Sequence, residues 1–137
     1  MASEWWFVGS IDQPTGKVAY FADAESAGGD ERFPRLWVSR MLETAGSRGE
    51  TKVTSIFTFD CAEKRMSEMQ QMLVGATGDE IDAPVTLPSW SFVPPDSMGA
   101  DLLRFRCGNW RPVNGKLSGS PNREVAQLLA FGPPRSH

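Results

Sequence analysis

Few side chains in this chain could do chemistry on their own account. There is one histidine, His137, and there are two cysteines, Cys61 and Cys107. A serine–histidine–carboxylate arrangement would have to use His137, which follows Pro133-Pro134-Arg135-Ser136 on a frayed terminus that cannot be preorganised. The two cysteines stand far apart and outside any Cys-x-x-Cys, so zinc and thioredoxin-type redox readings fail on ligand number and spacing. Two roles remain for them: one structural disulfide, or two buried thiols. Carboxylates cluster at Glu25 with Asp30 and at Asp79 with Glu80 and Asp82, but in loop-like stretches where solvated turns are far commoner than acid–base pairs. Gly28-Gly29 lacks the spacing and the following helix of a phosphate cradle. The residues therefore point to a non-enzyme with no catalytic set, no metal site and no cofactor.

Bulk properties narrow the class further. At 137 residues the chain is one domain, 1–137, long enough to build its own core. Hydrophobic residues make up 40% and charged residues 23%, and no apolar run approaches the ~18 residues of a membrane span. The net charge of −3 argues against nucleic acid as a partner, because phosphate neutralisation needs a basic surface. Met1-Ala2-Ser3-Glu4 runs into Trp5-Trp6 with no signal-peptide pattern, which leaves either a cytosolic chain or a mature form.

Charge is unevenly placed. Of 14 basic residues, six (Arg104, Arg106, Arg111, Lys116, Arg123 and Arg135) follow residue 102, where Glu124 is the one acidic residue of 17. Opposite charges favour a tail that folds back over an acidic body. The sharper reading is a patch for an anionic partner, carried by Arg104, Arg106, Arg111 and Trp110.

The elements that must position these residues read as an antiparallel meander. Trp5 to Ile11 and Lys17 to Asp23 make a hairpin across the turn cluster Asp12-Gln13-Pro14-Thr15-Gly16. Arg35 to Glu43 and Thr51 to Cys61 are longer strands joined by a Gly-rich loop. Lys64 to Val74 has helix-forming residues, yet a short turn after a strand returns the chain alongside, so a strand is expected there. Gly75 to Pro88 reads as loop and Ser89 to Val93 as a sixth strand. Ser97 then caps a helix from Met98 to Cys107 that Gly108 stops. A second helix is expected at Pro121 to Phe131, with Ser120 as cap and Val125, Leu128 and Leu129 on one side.

Strand parity puts Val53, Ser55, Phe57, Phe59 and Cys61 on the core face of the fourth strand. On the helix, Ala100, Leu103 and Cys107 share a side, so a bond between the cysteines would clamp that side to the sheet. Met98, Leu102 and Phe105 would then form an outward apolar stripe, to be covered by the tail through Trp110 and the second helix, or by a protein partner or a second copy of the chain. Five tryptophans and eight phenylalanines would also suit a carrier of a small apolar ligand, although six strands fall short of a closed ligand-holding barrel.

Several segments resemble one family. An early Trp (Trp5 or Trp6), "VAYFADAES" with Tyr20, Asp23 and Ser26, "RLWVS" with Trp37, "TSIFTFDCAEKR" with Asp60-Cys61 and Arg65, and "WSFVPPDSMGADLLRFRC" follow the order of the surface-adhesin protein E domain of bacterial envelope proteins. The likeness spans residues 5–107, leaving 108–137 as a C-terminal extension expected to pack on that core. It implies an α+β fold, a curved antiparallel sheet of about six strands in a meander with the helix tethered to one face by a disulfide, here Cys61–Cys107. It also implies a periplasmic or outer-surface location, in mature form, and a binding module for proteins such as extracellular-matrix or serum components (vitronectin, laminin and plasminogen for the member that names the family). A periplasmic carrier and a structural envelope protein are the alternatives.

Overall fold

A computed structural model describes residues 3–25, 28–29, 31–83, 87 and 89–132. Five long strands, β1 (Trp5–Gln13), β2 (Gly16–Asp23), β3 (Arg35–Leu42), β4 (Glu50–Asp60) and β5 (Arg65–Gly75), follow one another across an open antiparallel sheet. The first hairpin closes on Pro14-Thr15, with Gln13 opposite Gly16. Gly16 has φ 144°, and a Cβ there would lie 2.9 Å from Thr44 Oγ1, so no larger residue fits without a shift. The helix-like composition of β5 is overridden by a long ladder with β4, from Asp60–Arg65 to Glu50–Gly75. Met69 is an extra residue in that ladder, since Ile56 pairs with Gln70 and Phe57 with Glu68.

Among the described residues the sheet has one strand more than the six expected. It is β6 (Glu80–Ile81), inside the stretch read as loop, and it pairs with the C-terminal end of β5. The segment around Trp90 contributes only β7 (Ser91–Phe92), which pairs with the other end of β5 through Met66–Ser91 and Arg65–Phe92. The strand expected at Ser89 to Val93 is thus shorter than expected, and β6, at two residues, is too short for alternation to show in sequence.

Parity decides what each face carries. Val8, Ala22, Leu36, Val38, Phe57 and Phe59 line one face, where α1 (Met98–Cys107) buries Leu102 and Phe105 at 2% and 1% exposure. The sheet-facing side of α1 is therefore the Leu102–Phe105 side, opposite to the one expected. Cys61 lies just beyond β4, in the turn, and reaches an exposed Cys107 in the last helical turn. The disulfide thus pins the rim of the helix while apolar packing sets its rotation. No outward stripe of Met98, Leu102 and Phe105 is left to cover.

The tail goes elsewhere. Ala19, Phe21 and Met41 are buried on the opposite face, where Leu117, Val125, Ala126, Ala130 and Phe131 pack against them together with Trp5 and Phe7. Trp110 does pack with the α1 cluster. The second helix is shorter than expected: α2 (Arg123–Ala126) is capped by Asn122, whose side chain accepts from Val125 N, and not by Ser120. It passes into a wide π turn, Gln127–Phe131, which leaves Leu128 and Leu129 exposed. Backbone bonds from Phe7 N to Gly115 O and from Leu117 N to Trp5 O stitch the tail along the free edge of β1.

Two expected outcomes follow from this packing. Reduction, or Cys61→Ser with Cys107→Ser, opens a link across a sequence separation of 46 and lowers unfolding free energy by on the order of 4 kcal/mol in the chain-entropy model, read by urea denaturation. Truncation after Gly108 exposes the Phe21 and Met41 face, each side chain worth about 1.5–3 kcal/mol of burial, so stability falls and sedimentation shows self-association. A truncated monomer with an unchanged unfolding midpoint would contradict the packing role of the tail.

Candidate interaction surface

Helix α1 begins where Ser97 Oγ accepts from Ala100 N at 3.1 Å. Asp101 lies in its first turn and Arg104 and Arg106 in its last, each placed favourably for the helix dipole. The four residues expected to form an anionic-partner patch divide into two pairs. Arg104 is exposed, donates to Asp101 Oδ1 at 2.5 Å, and lies 4.4 Å from the centre of the Trp110 ring. Trp110 is half-buried and is held there by its own N–H donating to Arg104 O. This pair faces outward.

The other two arginines brace the chain. Arg106 donates from Nε to Arg35 O at 2.7 Å and from Nη2 to Gly28 O at 3.3 Å, tying α1 to the segment before β3. Arg111 stacks 3.9 Å from the centre of the Phe105 ring and donates to the carbonyls of Phe105 and Trp110. Burial pulls its guanidinium below the usual arginine value, with Glu4 opposing that effect.

Beside the disulfide, Asp60 is 2% exposed and accepts from Arg65 Nη2 at 2.6 Å and from Glu63 N at 3.2 Å. The Arg65 hydrogen bond, with the Glu63 N–H in support, outweighs desolvation and holds the Asp60 carboxyl below its ordinary value. Arg65 also lies 5.1 Å from the centre of the Trp90 ring. The Asp60–Arg65 pair thus fixes the tight turn from which Cys61 projects. Asp23 plays a similar part at the other end, accepting from Glu4 N and Glu25 N.

One polar group escaped the sequence reading. Glu68 Oε2 accepts from Arg40 Nη2 at 2.8 Å and from Ser55 Oγ at 2.5 Å, on the face that carries α1. The signal was present in Arg40, a charged residue at the inward parity between Val38 and Leu42, but its partner could be paired only by knowing the extra residue in β5. Among the described residues no group of histidine, cysteine and carboxylates could hold a metal. Asp79, Glu80 and Asp82 are exposed in or beside β6, whereas Ser26, Asp30, Ser136 and His137 lie outside the described residues. Tryptophans are spread over the molecule: Trp5 packs toward the tail, Trp6 and Trp110 toward α1, and Trp90 is exposed.

The model of the family described as surface-adhesin protein E matches residues 5–108, from the first strand through α1 to the residue after Cys107. The chain belongs to the surface-adhesin protein E family. A crystal structure of Haemophilus influenzae protein E (crystal form II) superposes with a TM-score of 0.56 at 14% identity, covering 74% of this chain and 89% of that one. Protein E from non-typeable Haemophilus influenzae gives a TM-score of 0.49 at 15% identity, covering 74% and 76%. At 14% identity the likeness to the first of these structures is one of fold. No curated protein sequence matches the chain. The surface-adhesin protein E match ends where α1 is tied down, so the tail on the second face lies beyond it.

Within the matched region Asp60 gives a signed pH dependence. Its folded value lies below the ordinary one of 3.8, so its contribution to stability is complete above that value and is lost as pH falls through the lower folded value. Urea unfolding of the wild type and Asp60→Asn from pH 7 to pH 2 should show a gap that closes only in the acid range. A gap independent of pH would contradict the assignment.

Proposed function

We propose that this chain is a non-enzymatic binding module of the bacterial envelope that holds host matrix or serum proteins at the outer end of α1. Membership of a surface-adhesin family supports the class of activity. The observation that carries the choice of surface is the Arg104–Trp110 pair, a guanidinium lying over a half-buried ring on a helix pinned by a disulfide. Arg and Trp are the residue types most enriched at energetic centres of interfaces, and a rigid support lowers the cost of ordering them. Arg106 and Arg111 serve this surface indirectly, because their donors go to the chain's own carbonyls and keep α1 and the turn at Trp110 in place.

Surface plasmon resonance of the full chain over immobilised vitronectin, laminin and plasminogen tests the reading. Binding to at least one of them is expected, weakened about tenfold or more by Arg104→Ala and by Trp110→Ala, in keeping with the ≥ 2 kcal/mol of an interface hot spot. Added salt should weaken it as well. No binding to any of the three would overturn the adhesin reading for this chain, and binding unaffected by both substitutions would overturn the choice of surface.

A further inference from the structure

The tail covers β1 to β3 on its face of the sheet and leaves the β3–β4–β5 end of that face open. There the register sets Arg35, Thr58 and Ser67 in one row, directly opposite one another across three strands. These three, with Gly29, Phe33, Met69 and Trp90, line a cleft of about 320 Å³. Phe33 and Trp90 touch at a centroid separation of 5.7 Å and form its apolar wall.

The floor of the cleft is under-satisfied. Ser67 is 5% exposed and its Oγ has no hydrogen-bond partner, although buried hydroxyls are nearly always paired. Thr58 Oγ1 spends its hydrogen bond on the weak acceptor Met69 Sδ. Arg35 is exposed and its guanidinium has no described partner; its bonds are those of the backbone, its N–H donating to Gly28 O and its carbonyl accepting from Arg106. Arg32 lies over Phe33 and Arg65 over Trp90, each ring centre 5.1 Å from the guanidinium. Of the acidic groups at this end, Asp60 is neutralised by Arg65 and Glu31 is exposed to water. A row of one guanidinium and two hydroxyls, inside a rim of cations, is built for an oxyanion.

We infer that this cleft receives an aspartate or glutamate side chain from the surface of a protein partner, a second contact point that rests on the adhesin reading above. Charge complementarity selects the carboxylate. The surroundings select a protein as its carrier: Trp90 in the cleft wall and Phe92, opposite Arg65, are 41% and 75% exposed, apolar surface that a free acid would leave wet and a protein would bury. The carboxylate accepts from Ser67 Oγ and from the Arg35 guanidinium, and its carbon chain lies against Trp90.

The test is a titration of the ¹⁵N-labelled full chain with a blocked tripeptide carrying a central Glu beside a Phe, with its Gln analogue, and with acetate, followed by two-dimensional NMR. The Glu peptide should shift the amides of Ser67 and Met69 and the indole of Trp90. The Gln analogue and acetate should bind about tenfold more weakly or not at all, the loss expected for a hydrogen bond to a charged group. Ser67→Ala and Arg35→Gln should abolish the difference between Glu and Gln. Ser67→Ala removes a buried hydroxyl that has no partner, so it should not lower the unfolding midpoint, and a loss of binding then reports on the site alone. Equal responses to Glu and Gln, or none, would overturn the carboxylate site, and acetate matching the peptide would overturn the protein carrier. In the plasmon assay, wild-type capture that survives both substitutions counts against the cleft but not against adhesion. Failure of all capture counts against adhesion and leaves the titration decisive for the cleft.

Discussion

The constraint behind this structure is that one sheet has apolar residues on both faces and must cover both. Alternation along β2 makes this plain, with Ala22 buried on the α1 side and Phe21, its neighbour, buried on the tail side. A sheet of this kind cannot leave one face to water, as many antiparallel sheets do. Each face receives a separate cover, and the two are held by different means. Helix α1 is short and shares only two fully buried side chains with the sheet, so a covalent tie between Cys61 and Cys107 complements its packing. The tail has no such tie and relies on spreading its contacts from Leu117 to Phe131.

The same constraint accounts for the uneven charge. Cations late in the chain suggest attraction between the tail and acidic side chains of the body, yet most of their hydrogen bonds go to backbone carbonyls. Arg106 reaches Arg35 O, Arg111 reaches Phe105 O, and Arg123 reaches Leu42 O and Glu43 O at 3.2 and 3.1 Å. Carbonyls at strand ends and in loops lack ladder partners, and a guanidinium with five donors satisfies several at once. Lys116 near Glu4, at 3.9 Å and exposed, is the plain ion pair among the described residues of the tail and adds little. Arginine acts here as an adaptor between irregular backbone segments, and Arg104 is left to face solvent beside Trp110.

The meander was legible because its strands are long, alternating and separated by turn residues of the expected kinds, and even β5 followed from its short connection to β4. What was not legible depended on single residues. Two-residue strands such as β6 carry no periodic signal. The rotation of α1 was misjudged because Cys107 was assumed to point with the bond, whereas a cysteine on the helical rim meets one in a turn from the side. The tail was assigned to the wrong face for the same reason, since a helix already satisfied by Leu102 and Phe105 needs no further cover. The exposed arginines could be named from sequence, but which of them would spend their donors internally depends on carbonyls that only the fold brings near. Ser67 gave no signal at all, being one of five polar residues in a strand that also holds Met66, Met69, Met72, Leu73 and Val74.

Where cover ends, recognition can begin. The tail stops short of the β3–β4–β5 end of its face, and α1 leaves part of its own face to Arg40, Ser55 and Glu68. These two uncovered areas differ in a way that matters. Glu68 accepts from both Arg40 Nη2 and Ser55 Oγ, so the charge there is already paired, although the buried Arg40 Nε is left without a partner. At the Phe33–Trp90 end, the cations lie over aromatic rings and the floor keeps a hydroxyl without a partner. A paired charge rigidifies a surface, whereas an unpaired guanidinium beside a free hydroxyl leaves free energy to be gained on contact. Both are built from the same alternation that builds the core, and they differ in whether the charge at the centre has already found its counter-charge.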